Sequence, residues 1–289
     1  MHPDALLSRM RPVTIADRPV MQRYLTRFRQ SVCELTFGNF FLWGKSRQHL
    51  WMEYEDHLLV SLQKKDEPQM WYQPIGPDPV KLMSEDLTLE KGFHWYCVDA
   101  AVAEKLPKAI PMRLTPERFD YVYGLPELRT LTGGDYSEKR NFIKRCRKHN
   151  PEVVMLDASH GPECHAMLEK WMSGNHEGME SARDEISALR LVMENFSAME
   201  LAGVGIRIGG EMQALAIGAP MTDTLFVEHF EKSTNAFSGL YALVFHEFAK
   251  VVPEKWTELN KEEDLGIQGL RTAKERWHPK YLVRKYMVG

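Results

Sequence analysis

Residues 202–252, AGVGIRIGGEMQALAIGAPMTDTLFVEHFEKSTNAFSGLYALVFHEFAKVV, hold three strand-like runs followed by one apolar helix. The runs cover 202–208, 212–219 and 224–230, each a short apolar stretch bounded by turn residues. Gly209-Gly210 can take the positive φ angles of a tight hairpin between the first two. From 240 to 252 apolar side chains (Leu240, Tyr241, Leu243, Val244, Phe245, Phe248, Val251) point all round a helix, which predicts a helix enclosed by protein. Upstream, a short strand at 153–156 and a helix at 162–171 precede a longer helix at 182–199. Its Ile186, Leu189, Met193, Phe196 and Met199 form one stripe. Downstream come a strand at 255–259, a helix at 267–276 and a last strand at 281–287.

The first half runs in nearly the same order. Helices at 14–29 and 36–42 lead into strands at 49–54, 57–62 and 69–75, then a helix at 79–91, a strand at 94–98, a helix at 100–108 and an extended piece at 117–123. One unit occurs twice, and its order resembles that of the Gcn5-related N-acetyltransferase (GNAT) fold. The expected fold class is α/β, with two tandem GNAT-like domains, each a mixed, mostly antiparallel sheet flanked by helices. The expected boundaries are 1–124 for the first domain, 125–150 for a basic linking helix and 151–289 for a second domain carrying the active site.

Composition narrows the function classes. The 289 residues are 44% hydrophobic with a net charge of −3, which supports real cores and excludes a globally basic nucleic-acid binder. Cys33, Cys97, Cys146 and Cys164 form no CxxC pair, so neither a zinc ribbon nor a disulfide framework is expected. No apolar run suits a signal peptide or a membrane span, and a cytoplasmic protein is expected. Gly44-Lys45-Ser46 fails as a phosphate loop because bulky Phe40, Phe41, Leu42 and Trp43 precede it, and no G-x-S-x-G elbow occurs.

Two stretches concentrate chemistry. In 257–286, TELNKEEDLGIQGLRTAKERWHPKYLVRKY, the acids Glu262, Glu263 and Asp264 run into Gly266 and Gly269, then into Arg271 and Lys274 at helical spacing. A carboxylate can take a proton, glycines let backbone N–H groups approach a ligand, and two cations one turn apart can hold an anion. The same acids and cations also suit helix capping and dipole compensation. In 119–150, six Lys or Arg fall between 139 and 148, with Arg140, Lys144 and Arg147 on one stripe and Phe142, Ile143 and Cys146 able to face protein. Such a stripe can meet phosphates or can simply be a solvated face.

Taken together these stretches resemble the C-terminal domain of the bacterial phosphatidylglycerol lysyltransferases and the stand-alone proteins that share it. The resemblance rests on Asp120-Tyr121-Val122-Tyr123, Leu128, Leu131, Gly133, Tyr136, Lys139-Arg140-Asn141, Asn260, Asp264-Leu265-Gly266, Gly269-Leu270-Arg271 and Lys274, with Leu35-Thr36-Phe37 and Asn39 near the start. It implies an acyl or aminoacyl transferase, related to Fem-type enzymes, with no tightly bound cofactor and with aminoacyl-tRNA or acyl-CoA as donor. A phospholipid headgroup or small amine would be the acceptor, the tRNA a partner, and the inner membrane face a place of peripheral association. No metal is expected. Asp264 and, second, Glu228 are the expected catalytic carboxylates. Lys139, Arg140, Asn141, Lys144, Arg271 and Lys274 are expected to bind donor phosphate, and Tyr136, Asn260, Gly266 and Gly269 to shape the cleft. The segment 233–239 lacks the Arg/Gln-x-x-Gly-x-Gly/Ala loop with which acetyl-CoA enzymes of this fold grip pyrophosphate. The rival reading is a tandem protein that binds tRNA, anionic headgroups or peptide and transfers nothing.

Overall fold

The computed structural model describes residues 2–64, 66–173 and 179–289. Its strands are β1 (Arg11–Pro12), β2 (Leu50–Tyr54), β3 (His57–Leu62), β4 (Met70–Tyr72), β5 (Trp95–Asp99), β6 (Met112–Leu114), β7 (Asp120–Gly124), β8 (Glu152–Met155), β9 (Ala202–Ile208), β10 (Glu211–Pro220), β11 (Leu225–Ser233), β12 (Glu258–Asn260), β13 (Tyr281–Val283) and β14 (Lys285–Val288). They form two seven-stranded sheets, ordered β1-β2-β3-β4-β5-β14-β6 and β13-β7-β12-β11-β10-β9-β8. Each is built on the same plan. An antiparallel meander (β2-β3-β4 or β9-β10-β11) is followed by a strand parallel to its last member, β4 with β5 and β11 with β12. This is the tandem GNAT-like α/β fold that the element order predicts.

The crossover helix Leu240–Val251 is buried on every face from Ala242 to Ala249, as its apolar surround predicts, while Tyr241, expected to be enclosed with the rest, is exposed in its first turn. Gly209 and Gly210 take φ of +64° and +81° at the hairpin. In the first unit the expected helix at 79–91 is broken into Pro79–Lys81, one wide turn at Leu82–Asp86 and a 3₁₀ turn at Leu89–Lys91. The wide turn places Leu82, Met83 and Leu87 together in a core with Leu59, Trp71, Phe93 and Trp95.

The largest departure from expectation is at the domain boundary. The strand expected at 281–287 breaks at Arg284, so that β13 joins the second sheet and β14 enters the first between β5 and β6. Conversely β7, expected in the first domain, lies between β12 and β13. In both sheets the open edge of the parallel strand is completed by an antiparallel strand from elsewhere in the chain, β14 on β5 and β7 on β12. The compact units are therefore discontinuous. One comprises everything up to Tyr121 with Glu262–Thr272 and Leu282–Gly289; the other comprises Val122–Lys261 and Ala273–Tyr281. The basic helix belongs to the second unit instead of standing between domains. Among the described residues no helix is long and apolar enough to cross a membrane.

Candidate functional site

In the second unit the parallel pairing of β11 with β12 runs through Leu225–Glu258, Phe226–Leu259 and Val227–Asn260 and then stops. The next residues are Glu228 and Lys261. The Lys261 ammonium contacts Glu228 Oε2 at 2.5 Å and also pairs with Glu231. It lies 3.8 Å from the centre of the Phe245 ring. On the other side of β11 the register with β10 slips, Ile217 facing Phe230 and Gly218 facing Glu228, so His229 is the extra residue of a bulge. Bulges re-aim side chains, and this one sits beside the carboxylate. Glu228 is 4% exposed, and its Oε1 has no hydrogen-bond partner among the described residues. A buried carboxylate with one oxygen held and the other vacant is placed to accept a proton from a bound group.

Gly218 makes the bulge possible. A β-carbon there would stand 2.1 Å from the Val227 carbonyl oxygen and 3.1 Å from Glu228 Cα. Gly218→Ala must push β11 away, with an expected loss of about 1–3 kcal/mol in urea unfolding, as for other overpacked interiors.

The corresponding divergence in the first unit follows Trp71–Trp95 and Tyr72–Tyr96. There Gln73 accepts the Asp99 N–H at 2.8 Å and donates to Gln30 at 3.1 Å, so an amide closes the gap and offers no base.

The residues singled out from sequence are distributed differently from expectation. Asp264 lies in the first unit and is fully engaged. Its Oδ2 accepts from the Tyr121 hydroxyl at 2.7 Å and Arg271 Nε at 2.8 Å, and its Oδ1 from the Gly266 N–H at 2.8 Å and Arg271 Nη2 at 3.2 Å. Burial works against its charge, but Arg271, Tyr121 and Gly266 together hold its carboxyl below the ordinary range. Gly266 takes φ of +75°, a turn that favours glycine, while Gly269 has open space around it. Lys274 is buried in the second unit and donates to the Lys261 carbonyl, and Asn260 is buried in β12.

On the basic helix Ser137–Arg147, Lys139 is buried with its ammonium 4.8 Å from the Trp277 ring centre. Arg140 donates to the carbonyls of Leu131 and Gly133, and Arg147 pairs with Glu247 at 3.2 Å. Tyr136 packs edge-on to His278, and Asn141 and Lys144 are exposed. Ile143 and Cys146 are buried as predicted.

A buried cluster in the first unit escaped the sequence reading. Lys285, 0% exposed, contacts Asp120 Oδ1 at 2.6 Å and Glu34 Oε2 at 2.5 Å. The Cys33 N–H donates to Asp120 Oδ2 at 2.8 Å, and its thiol lies 3.1 Å from Asp120 Oδ1. Donor atoms of Cys33, Glu34 and Asp120 lie within 4.8 Å of one another, but the Lys285 ammonium already supplies a cation to both carboxylates. Burial alone would favour neutral Lys285; Asp120 and Glu34 overcome it and raise the ammonium well above its usual value. The sequence carried little signal for it: Lys285 falls in the expected last strand, 281–287, whose apolar residues do not alternate, and its burial goes with the pairing of β14 with β5 and β6.

Residues 25–289 match the family model described as phosphatidylglycerol lysyltransferase, C-terminal. The chain belongs to this family. Within the family fold the motif residues carry distinct structural tasks: Thr36 caps the helix Phe37–Leu42, Asn39 donates to the Glu34 carbonyl at 2.8 Å, Asp120 holds Lys285 and Asp264 holds Arg271. Among solved structures, a conserved protein of unknown function from Bacteroides thetaiotaomicron is similar over 100% of this chain and 99% of its own, at 28% identity and a TM-score of 0.89. L-PGS from Bacillus licheniformis is similar over 94% and 91%, at 14% identity and a TM-score of 0.65. FemX is similar over 96% of each chain, at 8% identity and a TM-score of 0.61, a likeness of fold. No curated protein matches the sequence significantly.

Proposed function

We propose that this family member transfers an acyl or aminoacyl group from an activated ester to an amine or hydroxyl, with Glu228 as the base. The observation that carries the reading is the vacant, buried Oε1 of Glu228 where β11 and β12 part. The acceptor nitrogen or oxygen attacks the donor carbonyl carbon and gives its proton to Oε1. The ester C–O bond then breaks, and the proton passes to the leaving oxygen. Lys261 positions Glu228 through Oε2. The family description, a phosphatidylglycerol lysyltransferase, favours an aminoacyl group as the one transferred and a phospholipid headgroup as acceptor; aminoacyl-tRNA or acyl-CoA is the donor in this reading, and a small amine the other acceptor. The exposed Lys144, with Asn141 beside the same helix face, is available to the donor's phosphates, and tRNA affinity should then fall steeply with salt.

Asp264 has every lone-pair direction taken, so its role is to hold the Gly266 turn and Arg271. Asp264→Asn is expected to lower the melting temperature while transfer per folded molecule stays at the wild-type rate. The function itself is tested by offering the purified protein charged tRNA or acyl-CoA, with and without phosphatidylglycerol vesicles and small amines. Acceptor-dependent loss of the donor acyl bond supports transfer. Saturable tRNA binding with no donor consumed under any condition supports a binding protein instead.

A further inference from the structure

One exposed stretch of the first unit is built from residues that its own backbone disfavours. Leu265, Ile267 and Leu270 are 52%, 55% and 36% exposed, and no charge separates them in Leu265-Gly266-Ile267-Gln268-Gly269-Leu270. Leu265 takes φ of +56° beside Gly266 at +75°, a left-handed pair in which glycine or asparagine sits most easily. Ile267 stands at the start of the helix Gln268–Glu275. Its carbonyl accepts the Arg271 N–H at 2.9 Å, and isoleucine is among the poorest residues for such a cap. Leu270 lies in the first turn of that helix, three residues on and hence on the same face as Ile267.

The turn is nonetheless firmly held. The buried Asp264 carboxylate accepts from the Gly266 N–H at 2.8 Å and from Arg271 at 2.8 and 3.2 Å, and the Asp264 carbonyl accepts the Ile267 N–H at 2.9 Å. A braced turn therefore keeps three aliphatic side chains out in water, against both solvation and local backbone preference. A single exposed leucine is ordinary, but a strained position that also displays an apolar side chain points to a task outside the fold.

Size and charge decide what covers it. Side chains exposed to that degree offer on the order of 200 Å² of apolar surface, well short of the ~800 Å² that each partner of a stable protein interface buries. No aromatic residue stands between 265 and 270, and Arg271 is paired with Asp264, so the usual anchors of a protein partner are missing from the turn. A bilayer requires no matching surface, and aliphatic side chains on a firm turn can enter it just below the headgroups. We propose that Leu265, Ile267 and Leu270 form a membrane-inserting turn, whose ligand is the acyl-chain region of a phospholipid bilayer. The acids Glu262, Glu263 and Asp264 precede the turn, so attraction to anionic headgroups is not what holds it. In function the turn rests on the transfer reading with a phospholipid as acceptor, but its binding is read without turnover.

Flotation of the intact protein with phosphatidylcholine vesicles, at millimolar lipid and at low and high salt, tests it. Reversible binding is expected that salt does not weaken. Ile267→Gln combined with Leu270→Gln should reduce partitioning roughly ten-fold or more. Leu265→Asn combined with Ile267→Ser should reduce it as well while raising the melting temperature, because each new residue suits its backbone position. Met155→Gln, which removes a side chain at least as exposed in another part of the chain, should change nothing. No flotation by wild type, or flotation that both double variants leave unchanged, overturns the proposal. So does flotation confined to phosphatidylglycerol vesicles at low salt, which would be an electrostatic contact. Sedimentation of wild type as a dimer that both double variants make monomeric would identify a second copy as the occupant, and overturns it too. Transfer to detergent-dispersed phosphatidylglycerol without flotation would remove this proposal and leave the Glu228 reading, and flotation by a protein that transfers nothing would do the reverse.

Discussion

Lys285→Met is expected to lower the unfolding free energy by about 3–5 kcal/mol, the usual cost of removing one partner from a buried ion cluster. Methionine fills a similar volume, so the loss is chiefly electrostatic. Glu34 and Asp120 would remain buried without the ammonium that each contacts within 2.6 Å. Adding Glu34→Gln and Asp120→Asn to Lys285→Met should recover part of the loss, since neutral groups no longer need the cation. The cluster also sets an acid limit. Burial alone would raise the Glu34 pKa from 4.5, but Lys285 and hydrogen bonding bring it down to about 2. A depressed carboxylate contributes stability that is present above its unfolded value and lost as pH falls through the folded one. The wild-type urea midpoint should therefore decline from about pH 4.5 toward pH 2, and this component of the decline should be absent in the triple variant.

The parts of the fold that sequence revealed are those decided locally. The apolar surround of 240–251 could only be a covered helix, and Gly209-Gly210 could only be a tight hairpin between two apolar runs. The exchange of β7 and β14 between sheets was not legible, because a strand of four or five covered residues shows that it is covered and not which neighbour covers it. The same limit governs the site. Spacing drew attention to Asp264 because acids, glycines and cations follow one another there, yet nothing in that spacing tells that Tyr121 already donates to it. Lys261 stood in the same stretch with no assigned role. Its meeting with Glu228 depends on the parallel pairing of β11 with β12, between residues 33 positions apart. Lys285 stood in the expected last strand at 281–287, and only the place of β14 inside the first sheet, between β5 and β6, shows why a lysine there is buried.

Glu228→Gln keeps the shape of the side chain and an oxygen for Lys261, while the group that would take the proton becomes an amide. If Glu228 is the base, the chemical step should slow by about 10²–10⁴-fold, with donor binding and melting temperature near wild type. Gly218→Ala, which displaces the strand carrying Glu228, should slow it as well through position alone. The most direct measurement is rapid-quench single-turnover transfer of a labelled acyl group, using the donor and acceptor that wild type consumes. The predicted result is product formation by wild type and a loss of at least a hundred-fold in Glu228→Gln. Transfer by Glu228→Gln at the wild-type rate, or a wild type that cleaves neither aminoacyl-tRNA nor acyl-CoA, would contradict it.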